Sequence, residues 1–251
     1  MLTVVRSLYG AYVALVFSVS ALSTWAIAAI IPGIDRRRAI ARAGARTFFA
    51  LAGLRIDVDG LGHLPAAPCL VVANHASYVD GVLMTAVLPP RFAFVIKNEM
   101  QSVALMGRFL TWIDSLFVER RDVQQSAADA RRIMRAAKSG TPLAIFPEGT
   151  FKQPAGLMTF RQGAFRVAAR LELPVIPVTI TGTRKILPDG GRLPRFARIR
   201  VVIDSAVISG NTETLIAGCR QAILARLGEP DLDEQQTAAS GAGRQADVRA
   251  P

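Results

Sequence analysis

Leu8–Ile31 is a run of 24 residues without a charge, closed by Pro32-Gly33. As a helix it extends roughly 36 Å, enough for the hydrocarbon core of a bilayer. Arg36, Arg37, Arg38, Arg42 and Arg46 follow the break, against a lone Arg6 before the run. Basic flanks stay in the cytoplasm, so the chain after the run is expected on the cytoplasmic side of the membrane. A cleavable signal peptide has a shorter apolar centre and a small-residue cleavage site, which Ala26-Ile27-Ala28 matches only weakly. Hydropathy leaves open whether this helix spans or re-enters one leaflet. Arg37–Leu54 interleaves arginines with Ile40, Ala43, Phe48, Phe49, Leu51 and Leu54. That is the pattern of an interfacial helix, arginines at the headgroups and phenylalanines beneath them. The alternative is that the two helices pack on each other as core. Residues 1–54 are expected to form this membrane unit.

Hydrophobic residues make up 51% of the 251, which suits a membrane segment or a domain that partly enters lipid. Formal charge is +11; residues 229–251 hold five acids against two arginines, so the rest carries +14. Such a body seeks anionic headgroups, phosphorylated metabolites or nucleic acid. Aromatic content is only 7% and there is no basic low-complexity tract, which argues against nucleic acid. Cys69 and Cys219 lie far apart, as do His63 and His75. Neither a disulfide framework nor a zinc site is indicated, and Cys69 reads as a small buried hydrophobe.

From Arg55 onward, short β-rich runs alternate with helical ones. The strands are expected at Arg55–Asp59, Leu70–Ala73, Phe92–Ile96, Leu116–Val118, Leu143–Phe146, Val175–Ile180 and Ile199–Ile203. Between them, Gly81–Val87, Gln101–Ile113, Val123–Lys138, Gly163–Leu171 and Glu213–Leu227 carry apolar residues at helical spacing. Alternation of this kind is the mark of an α/β sheet covered by helices. Residues 55–228 are expected to form that domain. Residues 229–251 lack periodicity and are expected to be disordered.

Three segments carry chemistry. Asn74-His75-Ala76-Ser77-Tyr78-Val79-Asp80 follows the apolar run Cys69–Ala73, at a strand's end. An imidazole held by a carboxylate is the recurring device for deprotonating a hydroxyl as it attacks a carbonyl. Positions five apart diverge by roughly 140° on a regular helix, so a bond between them requires His75 in the turn and Asp80 one turn into the helix. The alternative reading makes Asn74 and Ser77 capping groups and Asp80 a first-turn acid. Phe146-Pro147-Glu148-Gly149-Thr150 then presents Glu148 at another strand end, the turn forced by Pro147 and Gly149. Leu116–Val118 runs into Glu119-Arg120-Arg121, and a guanidinium at a strand end suits bidentate phosphate binding unless it is merely solvated.

In this order the segments resemble the glycerolipid acyltransferase family. Its Asn-His-x4-Asp motif is matched by Asn74, His75 and Asp80. Phe117, Val118 and Arg120 resemble its second motif, with Asp114 where glycine is usual. Phe146–Thr150 match its third, followed by Phe151 in place of a polar residue and by Lys152. Phe160-Arg161-x-Gly163 and the proline-containing Val175–Val178 resemble the segments that follow. Both departures, Asp114 and Phe151, are expected near the acceptor site.

The resemblance implies a glycerol-phosphate-acyltransferase-like mixed sheet covered by helices. It implies acyl transfer from a thioester, acyl-coenzyme A or acyl carrier protein, to a glycerolipid hydroxyl, with no cofactor and no metal. His75 is then the base and Asp80 its orienter. Arg120, Glu148, Gly149 and Thr150 hold the acceptor. Glu148 is a poor phosphate ligand and more apt to bind a hydroxyl or brace an arginine. Asn74, Lys97, Lys152 and Arg161 are supporting candidates. Membrane lipids and a lysophospholipid acceptor are the implied partners. Rival readings are another lyso-lipid acceptor such as lyso-ornithine lipid, a thioesterase or lipid hydrolase, and a basic membrane-binding module without catalysis. Ser77 as nucleophile lies outside any nucleophile elbow.

Overall fold

The computed structural model describes residues 2–119, 123–151 and 154–233. Two helices, α1 (Leu2–Ile30) and α2 (Ile34–Leu51), precede an α/β unit. Its elements are β1 (Ile56–Asp59), β2 (Leu70–Ala73), α3 (Asp80–Val87), β3 (Ala93–Lys97), α4 (Ala104–Trp112), β4 (Leu116–Val118), α5 (Val123–Lys138) and β5 (Leu143–Ile145). They continue with α6 (Gly163–Arg170), β6 (Val175–Thr181), α7 (Thr183–Ile186), β7 (Ile199–Ile203) and α8 (Thr212–Leu227). Every expected strand forms, displaced by no more than one residue at either end.

The seven strands make one sheet in the order β1-β7-β6-β2-β5-β3-β4. All pairings are parallel except β6 with β7, so the sheet is mixed. Helices cover both faces, which is why the central strands are apolar throughout rather than alternating. Val71, Ala73, Ala144, Ile176 and Val178 pack toward α2 and α3. Leu70, Val72, Leu143 and Val175 pack toward α5, α6 and α8.

Against expectation, α2 does not turn its phenylalanines to lipid. Phe48 and Phe49 are buried in the core, where they meet α3 and the sheet. Buried Arg38 donates to the carbonyls of Ile113 and Arg91 and to Asp114. Packed between α1 and α3, α2 gives its apolar side to protein and leaves Arg36 and Arg46 exposed on the other.

Along α1 one side faces the protein. Tyr9 and Tyr12 donate to the carbonyls of Ala52 and Leu51, and Phe17 meets Phe48 edge-on at 5.3 Å. Gly44 lies so close to Thr24 that a Cβ there would stand 1.9 Å from its hydroxyl oxygen. Trp25 donates to the Leu105 carbonyl at 3.1 Å. The opposite side exposes Val4, Leu8, Leu15, Val19, Leu22 and Ile30 in one stripe. Among the described residues, α1 is the one helix long and apolar enough to cross a membrane.

Asp114 adopts φ 57 just before β4. Aspartate tolerates the left-handed region that otherwise favours glycine, which accounts for its standing where glycine is usual. It pairs with Arg38 at the amino-terminal edge of the sheet. That is the edge opposite His75, so this departure does not border the candidate site.

Candidate active site

β2 and β5 are parallel neighbours, and both strands end at the same edge of the sheet. Chain reversals in α/β sheets place ligand sites at that edge. Buried Asn74 fixes the end of β2 to β6: its amide donates to the Ile180 carbonyl at 3.0 Å and accepts from the Ile180 N–H at 2.7 Å. The next residue is His75. The chain then curls through Ala76–Val79, so that Asp80 becomes the first residue of α3 rather than one turn into it.

One oxygen of Asp80 gathers three donors. Asp80 Oδ2 accepts from the N–H groups of Ala76 at 2.7 Å and Ser77 at 2.8 Å, and lies 2.9 Å from His75 Nδ1. The two sequence readings of Asp80, helix-start acid and imidazole partner, are therefore both met by one atom. A carboxylate with no exposure at the start of a helix favours the Nδ1–H tautomer of His75. Nε2 is left as an acceptor with no protein partner among the described residues. The ring stacks on Phe146 at 4.4 Å and meets the edge of Phe151 at 4.6 Å, while its side chain keeps 18% exposure.

Glu148 is buried, and its carboxylate is engaged by the main chain. Oε1 accepts from the His75 N–H at 2.6 Å and Oε2 from the Met158 N–H at 2.8 Å. It thus braces the backbone of the histidine. Burial pushes its pKa from 4.5 up to about 7, against the pull of those two amides and of Arg184. Between these values the folded chain keeps a proton that the unfolded chain has lost. Stability should therefore fall by up to about 3 kcal/mol as pH rises from 5 to 8, and level off above. Denaturant titrations at pH 5 and pH 8 measure it: Glu148→Gln is expected to flatten the slope, and an unchanged slope would refute the assignment.

A cavity of about 330 Å³ opens beside Glu148, lined also by Thr150, Met158, Thr159, Phe160, Arg161 and Leu232. Gly149, at φ 75, closes the turn with its N–H on the Phe146 carbonyl, so its contribution is to shape. Lys97 ends β3 at the same edge and pairs with Glu99 at 2.8 Å. Arg120 and Lys152 lie outside the described residues. Phe151, unlike Asp114, does stand at the site.

Other reactive groups are occupied. Ser77 is fully buried and donates to the Leu187 carbonyl at 2.6 Å, which disqualifies it as a nucleophile. Burial pushes the Cys69 thiol up to about 11 and the Cys219 thiol to about 12. His63 Nδ1 is 2.7 Å from the Ile203 carbonyl.

Residues 229–233, expected within a disordered tail, instead pack on the domain. Glu229 pairs with Arg184, and Asp231 with Arg220. Carboxylates placed against fixed arginines gave the sequence no periodicity to show. Residues 234–251 lie outside the described residues. Met158 and Leu232 were likewise invisible as site residues, because their roles arise from main-chain bonds and packing across long separations.

A family model described as Acyltransferase matches residues 55–181. The chain is 29% identical over 172 residues to a chloroplastic 1-acyl-sn-glycerol-3-phosphate acyltransferase of Brassica napus, covering 67% of this chain and 50% of that one. It is 27% identical over 173 residues to the 1-acyl-sn-glycerol-3-phosphate acyltransferase of Helicobacter pylori, covering 67% and 72%. The chain spans about half the length of several of the relatives it matches. The crystal structure of a 1-acyl-sn-glycerophosphate acyltransferase from Thermotoga maritima superposes with TM-score 0.75 at 20% identity, over 89% of this chain and 95% of that one, and so shares the fold. With its sheet, its paired His75 and Asp80 and the match over 55–181, this chain belongs to the acyltransferase family.

Proposed function

We propose that this protein transfers a fatty acyl group from acyl-coenzyme A or acyl carrier protein to the free hydroxyl of 1-acyl-glycerol-3-phosphate, giving phosphatidic acid for phospholipid biosynthesis. The observation that carries this is the histidine whose Nδ1 is held by a buried carboxylate while Nε2 stays open. The relatives' names supply the acceptor. Nε2 takes the hydroxyl proton as the alkoxide attacks the thioester carbonyl. The tetrahedral intermediate collapses with cleavage of the C–S bond, and the imidazolium returns the proton to the departing thiolate. Asp80 stabilises the cation between these steps and holds the tautomer. Glu148 and Asn74 keep the histidine backbone where the ring must stand, while Arg161 and Thr150 line the cavity beside Glu148. Arg120 is the candidate ligand of the acceptor's phosphate, with Lys97 and Lys152 in support.

We further propose attachment to the inner membrane, with the catalytic unit on the cytoplasmic side. The stripe on α1 from Val4 to Ile30 is apolar and exposed, and Leu105 and Met106 extend it beside Trp25. Its other side is fastened to α2, which carries Arg36, Arg37, Arg38, Arg42 and Arg46. A helix so fastened lies along one leaflet with its stripe inserted, because crossing would draw those arginines into hydrocarbon.

Phe151 supports a second reading, in which the acceptor is another lyso-lipid such as lyso-ornithine lipid. An aromatic ring covers His75 and Tyr78 where the resemblance implies a polar residue. The test gives membranes carrying the protein an acyl-coenzyme A, with lysophosphatidic acid, another lyso-lipid or none, and follows thiol release and lipid product. Release that requires lysophosphatidic acid is the expected result. Preference for a different lyso-lipid selects the second reading, and release without acceptor selects hydrolysis.

A further inference from the structure

We propose that residues 229–233 form a strap that walls the acceptor cavity, and that Leu232 is a specificity-determining residue contacting the acceptor's first acyl carbons. The proposal rests on the acceptor-site reading of that cavity given above. The strap joins the 154–160 loop through main-chain bonds: Leu157 N–H to the Pro230 carbonyl at 2.9 Å, and Leu232 N–H to the Leu157 carbonyl at 3.0 Å. A bridge between Leu157 and Asp231 completes the pairing. Carboxylates pin it from the side. Glu229 accepts from the Gly156 N–H at 2.9 Å and pairs with Arg184 at 3.0 Å. Asp231 pairs with Arg220, and Asp233 accepts from the Thr159 hydroxyl at 2.5 Å.

Close approach is built into the loop. Gly156 has φ 147, and a Cβ there would lie 2.5 Å from Leu232 Cγ and 2.7 Å from the Pro230 carbonyl oxygen. Leu232 is thereby pressed into the cavity, where Met158 and Phe160 form an apolar wall with it. Thr150, Thr159, Arg161 and Glu148 supply the polar lining. An amphiphile with a polar head and an acyl chain suits a cavity that offers both kinds of lining. The strap also bears on the histidine. Arg220, paired to Asp231, donates to the Met158 carbonyl at 2.6 Å; Met158 N–H holds Glu148, and Glu148 holds the His75 N–H.

Two measurements on the full chain test this. In the first, a maleimide labels Leu232→Cys in neutral detergent, with short-chain lysophosphatidic acid added and no thioester present; Cys69 and Cys219 are buried. Saturating lipid is expected to slow labelling about tenfold. In the second, Leu232→Trp and Gly156→Ala are expected to raise the acceptor KM about tenfold while kcat changes less than about threefold. Thermal unfolding checks that both variants fold. Labelling unaffected by the lipid, in a protein whose wild type transfers acyl groups, overturns the strap and leaves the reaction standing. So does an unchanged KM in both folded variants. Slowed labelling in a protein that transfers to no acceptor supports the strap and overturns the reaction.

Discussion

His75→Ala is expected to lower kcat by about 10²–10⁴-fold, the range that a positioned general base typically contributes. The acceptor KM should move far less, because the cavity is lined by other residues. The variant should remain folded: the ring's bond to Asp80 is lost, yet Oδ2 keeps its two main-chain donors from Ala76 and Ser77. Steady-state rates with acyl-coenzyme A and lysophosphatidic acid, alongside thermal unfolding, separate these effects. A folded alanine variant retaining most of the wild-type kcat would refute the base. Asp80→Asn offers a sharper comparison. Its amide can keep an oxygen at the Oδ2 position but then buries an unpartnered NH2 where Oδ1 stands, so part of the loss would appear as lower stability.

Charging the exposed stripe of α1 is the second large effect. Leu15→Glu with Leu22→Glu replaces two side chains that are 63% and 55% exposed, so the fold should survive. Each substitution forfeits lipid contact of at least about 2 kcal/mol, and the pair lowers membrane partition about 10³-fold. Flotation with vesicles of anionic lipid measures it. Val13 lies fully buried on the opposite side of the helix. Val13→Ala should instead lower stability by about 1 kcal/mol or more and leave flotation unchanged. Unchanged flotation of the double glutamate variant would show that the stripe does not meet lipid.

The strands were legible because sheet burial writes itself locally: Leu70–Ala73 and Val175–Thr181 are apolar runs cut off by polar or glycine residues. His75 and Asp80 were legible for the same reason, being close in sequence and placed at a strand end. Glu148 was visible as a site residue but its partners were not, since the His75 N–H lies 73 positions away. Arginines in α2 read as headgroup ligands, whereas Arg38 is consumed by Ile113, Arg91 and Asp114, 53 to 76 positions distant. Composition reports that a helix is amphipathic; it does not report whether protein or lipid takes the apolar side. Asp114 misled differently. Its departure from glycine suggested altered chemistry, but its backbone angle shows only that aspartate can hold the same bend.

Fastenings from Tyr9 to Arg37 join the first helix to the body at several heights: Tyr9 to Ala52, Phe17 to Phe48, Thr24 to Gly44, Trp25 to Leu105, and Ala28 to Arg37. This is a keel, not a leash. A body on a leash samples a hemisphere and can act on a neighbouring vesicle; a keeled one turns only about the bilayer normal. With α1 inserted as proposed above, His75 would keep a constant altitude over the lipid, lipid partners would reach it by lateral diffusion, and two populations of vesicles mixed without fusion are expected to exchange no product.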